Sequence, residues 1–365
     1  MSAEVLLTVS GVIAPDTAER VARGERPRAD YLELARALHA DVLDYAEARQ
    51  SAGVLGRVME RIAGADVLLA WACWRKRKQY SAIFTDGEQV GIPLAALLKL
   101  ADGHHPRHVM IAHILSVKKK MLFFDWLGVQ SHIDRILVYS TWQQQFTQQR
   151  WKLPAEQVVW TPFMVDTDFF SLKRVTPKPT ARPQICAVGL ERRDYPTLIQ
   201  AARGLGANIT IAAASPWARQ PDTTEGQAIP DNVTVQRFSQ SELRQLYADS
   251  RFMVMPLFDV DFQAGVTALL EAMAMERAVI CSGTPGQTDV VVEGETGMYV
   301  PPGDPVALRA AIEYLLQHPE EAARMGRNGR RRVEQLMSLD AYTERLGAIV
   351  RGTLEDEARS AGVAL

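Results

Sequence analysis

Cysteine is scarce in this sequence, and its placement limits what the residue can do. The three cysteines, Cys73, Cys186 and Cys281, lie far apart, and no Cys-x-x-Cys pair occurs. An odd and dispersed set argues against a disulfide framework and a cysteine-based zinc site, and it is typical of a reducing compartment. We therefore expect free thiols.

Long apolar runs are also missing. The best candidate, 90–101, is broken by Pro93 and Lys99, and it is shorter than the roughly 18 residues that a membrane span needs. The N-terminus has no basic segment and its apolar stretch ends at Val9, so it predicts a first strand instead of a signal peptide. We expect a cytoplasmic protein, and a peripheral position on the inner face of the membrane stays open.

The sequence has no excess of charge of either sign. Lysine and arginine together number 41, against 43 aspartate and glutamate residues, which gives a net charge of −2. This balance provides no global field for nucleic acid, so nucleic acid is not an expected partner and any anion site must be local. With 365 residues, 47% of them hydrophobic, the chain fits a globular protein of about two domains.

Short apolar runs alternate with helical patterns in the first half of the chain. Such alternation predicts βαβ units and a parallel sheet. Strands are predicted at 5–9, 42–45, 81–85, 109–112, 136–139 and 158–160. Helices are predicted between them at 31–38, 52–62, 91–100 and 141–150.

The pattern stops at a proline-rich segment, 171–183, which predicts a linker, and then it starts again. Strands are predicted at 185–188, 209–213, 233–236, 252–255, 278–282 and 298–300. Helices are predicted at 195–202, 240–249, 267–274 and 305–317, and a longer helical pattern covers 320–354 with a break near Ser338.

These patterns predict an α/β protein with two Rossmann-like, doubly wound domains that face each other across a cleft. The N-terminal domain covers 1–170, the linker 171–183 and the C-terminal domain 184–340. The remaining segment, 341–365, predicts a helix that packs back toward the N-terminal domain. Two such domains place a ligand site at the carboxyl ends of their strands.

The most informative segment is 262–275, which follows a predicted strand and opens a helix. Gly265, Val266 and Thr267 stand at the helix start, where free backbone N–H groups and the helix dipole favour a diphosphate. Glu271 falls one turn inside, where a carboxylate can accept hydrogen bonds from two ribose hydroxyl groups. The alternative is a buried turn with Glu271 in a core salt bridge, and the pattern alone leaves both open.

The run LLEAMAM at 269–275, followed by the strand at 278–282, resembles the signature region of family 4 glycosyltransferases. Segments 284–286, 293–297 and 300–305 are similar to that family's downstream segments, in the same order. The resemblance is specific from about 185 to 350 and diffuse before that.

The resemblance implies a GT-B fold, with an acceptor-binding N-terminal domain and a donor-binding C-terminal domain. It implies a retaining transferase that takes a sugar from a nucleotide-diphosphate sugar, a co-substrate, with no metal and no cofactor.

In that family two acidic residues eight positions apart contact the donor. Glu271 matches the second, which contacts the ribose. Gln263, followed by Ala264, stands at the first, which contacts the donor sugar. Glutamine keeps the hydrogen-bonding ability but loses the charge, which leaves open a changed sugar preference or a weakened enzyme. The turn at Glu276 departs too, since the family usually has glycine there.

The resemblance also implies a basic residue on the loop after the first strand of the second domain. Arg193 matches it by its distance from Leu198 and Ile199, and Arg192 is the reserve. An arginine fork holds phosphate oxygens with two parallel bonds and stabilises charge that develops as the glycosidic bond breaks. The alternative is a pair of surface arginines.

Three residues of the first half are candidates for the acceptor side. His113 ends a predicted strand, and the resemblance places a histidine there near the transferred sugar; a satisfied structural histidine is the alternative. Asp86 ends the preceding strand in the same way and is a candidate for orienting the acceptor. Gly11, after the first strand, would let the acceptor approach the backbone closely.

No metal site is predicted, although two segments imitate the DxD metal motif of the other glycosyltransferase fold. Asp166 and Asp168 lie in 165–170, a segment before the linker that is also similar to the family, so the resemblance explains them without a metal. Asp259 and Asp261 lie in the loop before Gln263, where a structural role or one at the edge of the donor site fits better.

Two basic and aromatic stretches, 71–80 and 118–126, fall in the first half. Lysines beside Phe and Trp fit an anionic bilayer surface, and with it a lipid-linked acceptor; a solvated charged edge over a buried aromatic face is the alternative. The acceptor is a saccharide, a lipid-linked molecule or a small molecule.

Two other functions remain open. One is a non-catalytic protein that binds nucleotide sugars, which the loss of the acidic residue at Gln263 suggests. The other is an epimerase or a phosphorylase of the same fold.

Overall fold

The computed structural model describes residues 3–51, 53–101, 105–213, 223–224 and 226–360. The predicted helix start at Ala52 and the last residues of the predicted C-terminal segment, 361–365, lie outside this description. The chain divides into two compact units. The first unit comprises residues up to 18, residues 28–161 and residues from 343 onward; the second comprises 19–27 and 162–342.

The first unit is built on a six-stranded sheet in which every pair of neighbours is parallel, in the order β2-β1-β3-β4-β5-β6. Its strands are β1 (Val5–Thr8), β2 (Asp41–Leu43), β3 (Ala82–Thr85), β4 (Arg107–Ala112), β5 (Arg135–Val138) and β6 (Val158–Trp160). Every residue of β1 and β3 is buried, as expected for parallel strands covered by helices.

In the described part of the chain, eight α-helices lie between these strands in sequence, and residues 19–22 of the first of them cluster with the second unit. They are α1 (Thr17–Ala22), α2 (Asp30–Leu38), α3 (Tyr45–Ser51), α4 (Gly53–Ala63), α5 (Ala65–Lys76), α6 (Glu88–Lys99), α7 (Lys118–Leu127) and α8 (Thr141–Trp151). α5 and α6 pack on each other, and Leu69 and Leu94 join Leu6 and Ile83 of the strands in one core. α6 reaches a second core through Ile92, where the strands β4 and β5 meet α7.

The second unit also has a six-stranded parallel sheet, in the order β12-β11-β10-β7-β8-β9. Its strands are β7 (Gln184–Val188), β8 (Asn208–Ala212), β9 (Val233–Gln236), β10 (Phe252–Met255), β11 (Ala278–Ser282) and β12 (Gly297–Val300). Its helices are α9 (Tyr195–Ala202), α10 (Gln240–Asp249), α11 (Val266–Ala274), α12 (Pro305–Gln317) and α13 (Pro319–Leu336). The chain then continues into α14 (Leu339–Ser360).

Polar residues fix several helix starts of the second unit. Ser239 and Glu242 form a reciprocal capping box at α10, and Asp304 accepts two backbone N–H bonds at α12. α11 ends at Ala274, and Met275 follows as its C-cap. The next residue, Glu276, has a left-handed backbone with φ of 57°. This conformation explains why glycine suits the turn at which the sequence departs.

Strand order determines where each sheet can bind a ligand. After β1 the chain moves to β2, at one edge of the first sheet, and after β3 it moves to β4, toward the other edge. In the second sheet the chain likewise moves in opposite directions after β7 and after β10. Loops at the carboxyl ends of such neighbours diverge and leave a crevice between them. The loops after β7 and β10, and those after β1 and β3, are therefore the places to look for a site.

The predicted fold class, α/β with two Rossmann-like doubly wound sheets, is confirmed. Residues 162–170, which the sequence analysis assigned to the first domain, cluster with the second unit, and so do residues 171–183. Part of the proposed linker, Leu172–Arg174, is a short 3₁₀ helix. No helix in the described part of the chain combines the length and the apolar character needed to cross a membrane.

Candidate functional site

Arg193 lies in the loop that follows β7, at the crevice of the second sheet. The loop begins at Gly189, whose φ of 99° turns the chain sharply. It ends at Asp194, which caps α9 by accepting a bond from the backbone N–H of Thr197. The backbone of Arg193 also pairs with Leu257, just after β10. The turn therefore fixes Arg193 between the two diverging loops.

The guanidinium of Arg193 is buried over two glycines. Its Nε donates to the carbonyl of Val188 at 2.8 Å, and one terminal nitrogen donates to the carbonyl of Glu191 at 2.6 Å. A methyl group on Gly265 would lie 2.7 Å from both terminal nitrogens, and one on Gly189 would also collide with the guanidinium. Both glycines are therefore needed for this packing.

Arg193 is 3% exposed, yet no carboxylate of the described residues forms an ion pair with it. Burial lowers the pKa of its guanidinium below the ordinary value. A buried cation is usually paired with an opposite charge. This cation instead has backbone carbonyls on one side and the start of α11 on the other.

The start of α11 is uncapped and lies beside that guanidinium. Gly265 occupies the N-cap position with φ of 78°, and no side chain caps the helix. The hydrogen bond from Leu269 N to Gly265 O, at 3.2 Å, opens the helical ladder. Thr267 is exposed, whereas Ala264 and Val266 are buried. The first-turn N–H groups thus stand next to a positive charge, which is an arrangement suited to an anion.

The loop before α11 is held by residues that follow β11. Gln287, fully buried, donates its side-chain amide to the carbonyl of Ala264, and Gly286 packs directly on the backbone of Phe262. Ser282 accepts a bond from the backbone N–H of Leu257 at 2.9 Å. Gln287 was not predicted from the sequence, because its role depends on a contact between two loops.

Gln263 is half-buried in the same loop. Its Oε1 is sealed from solvent and has no hydrogen-bond partner among the described residues. A buried acceptor without a donor is unfavourable, so this oxygen has unused capacity where the resemblance implies a contact with the donor sugar.

Glu271 lies inside α11 and is 6% exposed. The hydroxyl of Tyr247, on α10, donates to its Oε2 at 2.9 Å, and no described residue donates to Oε1. Burial raises the pKa of Glu271 to about 8, although the bond from Tyr247 acts in the opposite direction. Glu271 forms no ion pair with the described residues, so the alternative of a core salt bridge fails. Tyr247 was not predicted.

In the first unit, Asp86 joins the ends of β1 and β3. Its carboxylate accepts bonds from the Thr8 hydroxyl at 2.8 Å, from the Ser10 backbone N–H at 2.6 Å and from the Ser10 hydroxyl at 2.8 Å. Burial nevertheless raises the pKa of Asp86. Gly11 follows directly, and a methyl group there would meet open space, so a ligand has room to approach.

His113 is exposed just beyond β4 and contacts the same cluster. Its Nε2 lies 3.1 Å from the carbonyl of Asp86, and its ring lies 5.4 Å from that of Tyr139. The buried Glu88 accepts a bond from the backbone N–H of His113 at 2.8 Å and pairs with Lys120. Burial alone would raise the pKa of Glu88, but His113 and Lys120 hold it below its ordinary value. Sequence reasoning missed Glu88.

The structure thus forms two groups of predicted residues. The group in the second unit consists of Arg193 and residues 263–267, with Glu271 one helical turn away. The group in the first unit consists of His113, Asp86 and Gly11. Arg192, unlike Arg193, is exposed. Within the described residues, no group of three His, Cys, Asp or Glu side chains is arranged to hold a metal ion.

Comparison with known proteins finds relatives for part of the chain. Residues 185–318 match the family described as Glycosyl transferases group 1. The D-rhamnosyltransferase WbpZ of Pseudomonas aeruginosa is 30% identical over 171 residues, which are 47% of this chain and 42% of that protein. The chain spans less than half the length of the curated relatives that it matches.

Solved structures match nearly the whole chain. Sucrose-phosphate synthase from Thermosynechococcus elongatus has a TM-score of 0.71 at 19% identity, with 96% of this chain and 99% of that chain covered. Anabaena HepE, in complex with UDP and glucose, has a TM-score of 0.67 at 13% identity, with 96% and 100% covered. The chain therefore has the GT-B fold of these proteins, as predicted.

Proposed function

We propose that this protein is a glycosyltransferase that moves a sugar from a nucleotide-diphosphate sugar to an acceptor hydroxyl. The observation that carries the proposal is the buried guanidinium of Arg193, which has no acidic partner among the described residues and lies beside the uncapped start of α11. The matched family and the relative WbpZ support the same class of activity.

The donor's diphosphate is assigned to Arg193 and to the N–H groups of Gly265, Val266 and Thr267. A fork of two N–H donors beside a helix start neutralises a pyrophosphate, and the same groups stabilise the charge that develops on it as the glycosidic bond breaks. HepE was solved in complex with UDP and glucose, which supports a nucleoside diphosphate here.

The ribose is assigned to Glu271 and the donor sugar to Gln263 and Ala264. Oε1 of Glu271 has no donor among the described residues and can accept from a hydroxyl group. Oε1 of Gln263 is covered in the ligand-free chain, and a rotation of the side chain would turn it toward a hydroxyl of the sugar. Each assignment gives a partner to a polar atom that lacks one.

We further propose, as members of family 4 would, that transfer retains the anomeric configuration and needs no metal. The acceptor would approach the cluster of His113, Asp86 and Gly11, with Asp86 orienting it. The leaving phosphate can then take the proton of the attacking hydroxyl, so no strong protein base is required. We place the reaction in the cytoplasm, with a saccharide, a lipid-linked molecule or a small molecule as acceptor.

Nucleotide binding tests the donor assignment. UDP, GDP, ADP and dTDP are screened by thermal shift, since a ligand that binds only the folded state raises the melting temperature. We expect at least one to bind, and Arg193→Lys to weaken it by about ten-fold because lysine lacks the fork. Arg192→Lys, at an exposed neighbour, is the matched control. Absence of binding, or equal losses in both variants, contradicts the assignment.

A labelled donor made from the bound nucleotide then tests transfer. Transfer to an acceptor supports the glycosyltransferase, whereas binding without transfer in a broad acceptor screen favours the non-catalytic alternative that Gln263 suggests. An epimerised sugar or a requirement for free phosphate would instead identify an epimerase or a phosphorylase.

A further inference from the structure

The outward face of α7 is apolar, although the helix lies on the surface of the first unit. Phe124 is buried and stacks on Trp151 with ring centroids 4.4 Å apart, so this side faces the core. Leu122, Phe123 and Trp126 are exposed on the other side, Trp126 by 82%. Spacings of three and four residues put them on one face, where a surface helix normally carries polar residues.

α4 also exposes apolar residues on the side that faces solvent. Gly56 is the buried residue of this helix. Val54, Val58 and Ile62 recur every fourth residue on the side away from it, and all three are exposed, Ile62 by 81%. Two helices of one unit therefore present apolar stripes to solvent.

Both helices belong to the same layer of the first unit. α4 lies in the connection from β2 to β3, and α7 lies in the connection from β4 to β5. Both connections cross the sheet in the same direction. Right-handed connections then place both helices on one face of the sheet. α5 and α6, which pack on each other, lie between them: α4 packs on α5 and α7 on α6.

Unpaired cations accompany the apolar stripes. Lys118 and Lys119 open α7, and Arg57 and Arg61 lie on α4; none of the four forms an ion pair with another described residue. The acidic residues of the two helices are already neutralised, since Arg150 binds Asp125 and Arg49 binds Glu60.

This combination favours a lipid surface over a protein partner. Aromatic residues are common in protein interfaces, but lysine is depleted there. Helices that carry Trp, Phe and Leu on one side and free Lys or Arg beside them are typical of the bilayer interface, and each basic residue near an anionic surface adds to the attraction.

We propose that α4 and α7 dock the first unit on an anionic phospholipid surface, with their apolar stripes in the interfacial layer and their four free cations at the headgroups. This inference goes beyond the proposed function, since lipid binding requires neither donor nor acceptor and can be measured without them.

Vesicle flotation tests the proposal on the full chain at low ionic strength. The vesicles contain phosphatidylcholine with about one-third phosphatidylglycerol, and pure phosphatidylcholine is the comparison. We expect flotation with the anionic vesicles only. Leu122→Gln combined with Trp126→Gln should lower the bound fraction about ten-fold, and so should Val58→Gln combined with Ile62→Gln. Lys118→Ala and Lys119→Ala should each lower affinity roughly five-fold.

Val306→Gln is the matched control, because it replaces an exposed valine on α12 of the second unit. It should bind vesicles like the unmodified protein, and the melting temperatures of all variants verify folding. The proposal is overturned by absence of flotation, or by α7 variants that bind normally. It is also overturned if sedimentation shows a dimer that the α7 variant dissociates, because the stripes would then join two copies.

Discussion

Arg193 and Glu271 of the second unit are ionisable and buried, and neither forms an ion pair with another described residue. Among the described residues, the side chain of Arg193 finds only carbonyl oxygens as hydrogen-bond acceptors, and that of Glu271 finds only the hydroxyl of Tyr247 as a donor. Burial of unpaired charge lowers the free energy of unfolding. Both residues therefore stabilise the fold less than neutral residues of the same shape would, and binding of a polar ligand offsets this loss.

Glu271→Gln should stabilise the protein while it weakens nucleotide binding. The folded pKa of Glu271 is about 8, against an ordinary 4.5. The folded state thus holds a proton that the unfolded state releases between these two values, and the free energy of unfolding falls as pH rises through that window. Glutamine removes the titration, for a gain of at most about 5 kcal/mol at the upper end.

Melting temperatures from pH 4.5 to 8.5 provide the measurement. The difference between Glu271→Gln and the unmodified protein should grow with pH and level off near pH 8. Glu295→Gln, at an exposed carboxylate, should show no such trend. A difference that stays constant with pH contradicts a buried, protonated Glu271.

Gly265→Ala should displace Arg193 and reduce affinity for the nucleoside diphosphate by about ten-fold or more. The new methyl group would lie 2.7 Å from the guanidinium nitrogens. Gly204→Ala is the matched control: it has φ of 70° and nothing within 4 Å, so it imposes the same backbone strain of about 1 kcal/mol without touching Arg193. Titration calorimetry measures both, and equal affinities would count against the placement of Arg193.

At the scale of elements, α11 and α13 pack so closely that one position of α13 admits only glycine. A methyl group on Gly326 would overlap the carbonyl oxygen of Glu276, whereas one on Gly329 would lie 3.3 Å from the flexible side chain of Met273. The backbone of the turn after α11 thus rests directly on α13.

Gly326→Ala should lower the free energy of unfolding by about 2 kcal/mol or more, because backbone must move to admit the methyl group. Gly329→Ala should stay within about 1 kcal/mol of the unmodified protein, since alanine also improves helix propensity. Denaturant unfolding of the two variants distinguishes them. Equal losses of unfolding free energy in the two variants would mean that the turn at Glu276 can move at little energetic cost.

Strands such as β1, β3 and β10 were predictable as elements because every residue in them is buried, so that they read as short apolar runs. The helices α1, α3, α5 and α7 were not predicted as helices. α5 is buried along much of its length, and α7 exposes its apolar residues, so neither shows the periodicity of an ordinary surface helix.

Site residues were predictable where their role is local in the sequence and were missed where it depends on a distant partner. Gly265 and Glu271 belong to a local strand-loop-helix motif and were predicted, and Arg193 was located by resemblance. Tyr247, Gln287 and Glu88 were missed because each acts on a residue more than twenty positions away. Only the tertiary structure brings those partners together.

At the scale of the whole molecule, the chain passes repeatedly between the two units. Residues 19–27 belong to the second unit although the first surrounds them in sequence, and the residues from 343 onward return to the first. Leu346 and Val350 of α14 are fully buried. From residue 343 onward, the last helix is therefore a structural part of the first unit.

Leu346→Ala should destabilise the first unit by about 2–5 kcal/mol, the range for a buried leucine, with little effect on nucleotide affinity. Glu344→Ala, nearby on the same helix and exposed, is the control. Calorimetry should show a lowered transition that added nucleotide does not restore. A matching loss of nucleotide affinity would show that α14 supports the second unit instead.

The return of α14 to the first unit affects how the protein can fold as it is made. On the ribosome, residues 28–161 emerge long before α14, so the first unit must wait as an unfinished intermediate while the second is synthesised. Domains that complete early during translation escape aggregation more easily. A nascent chain of this protein exposes the surface of the first unit that α14 covers until α14 itself has been synthesised, and it should depend on chaperones for that interval.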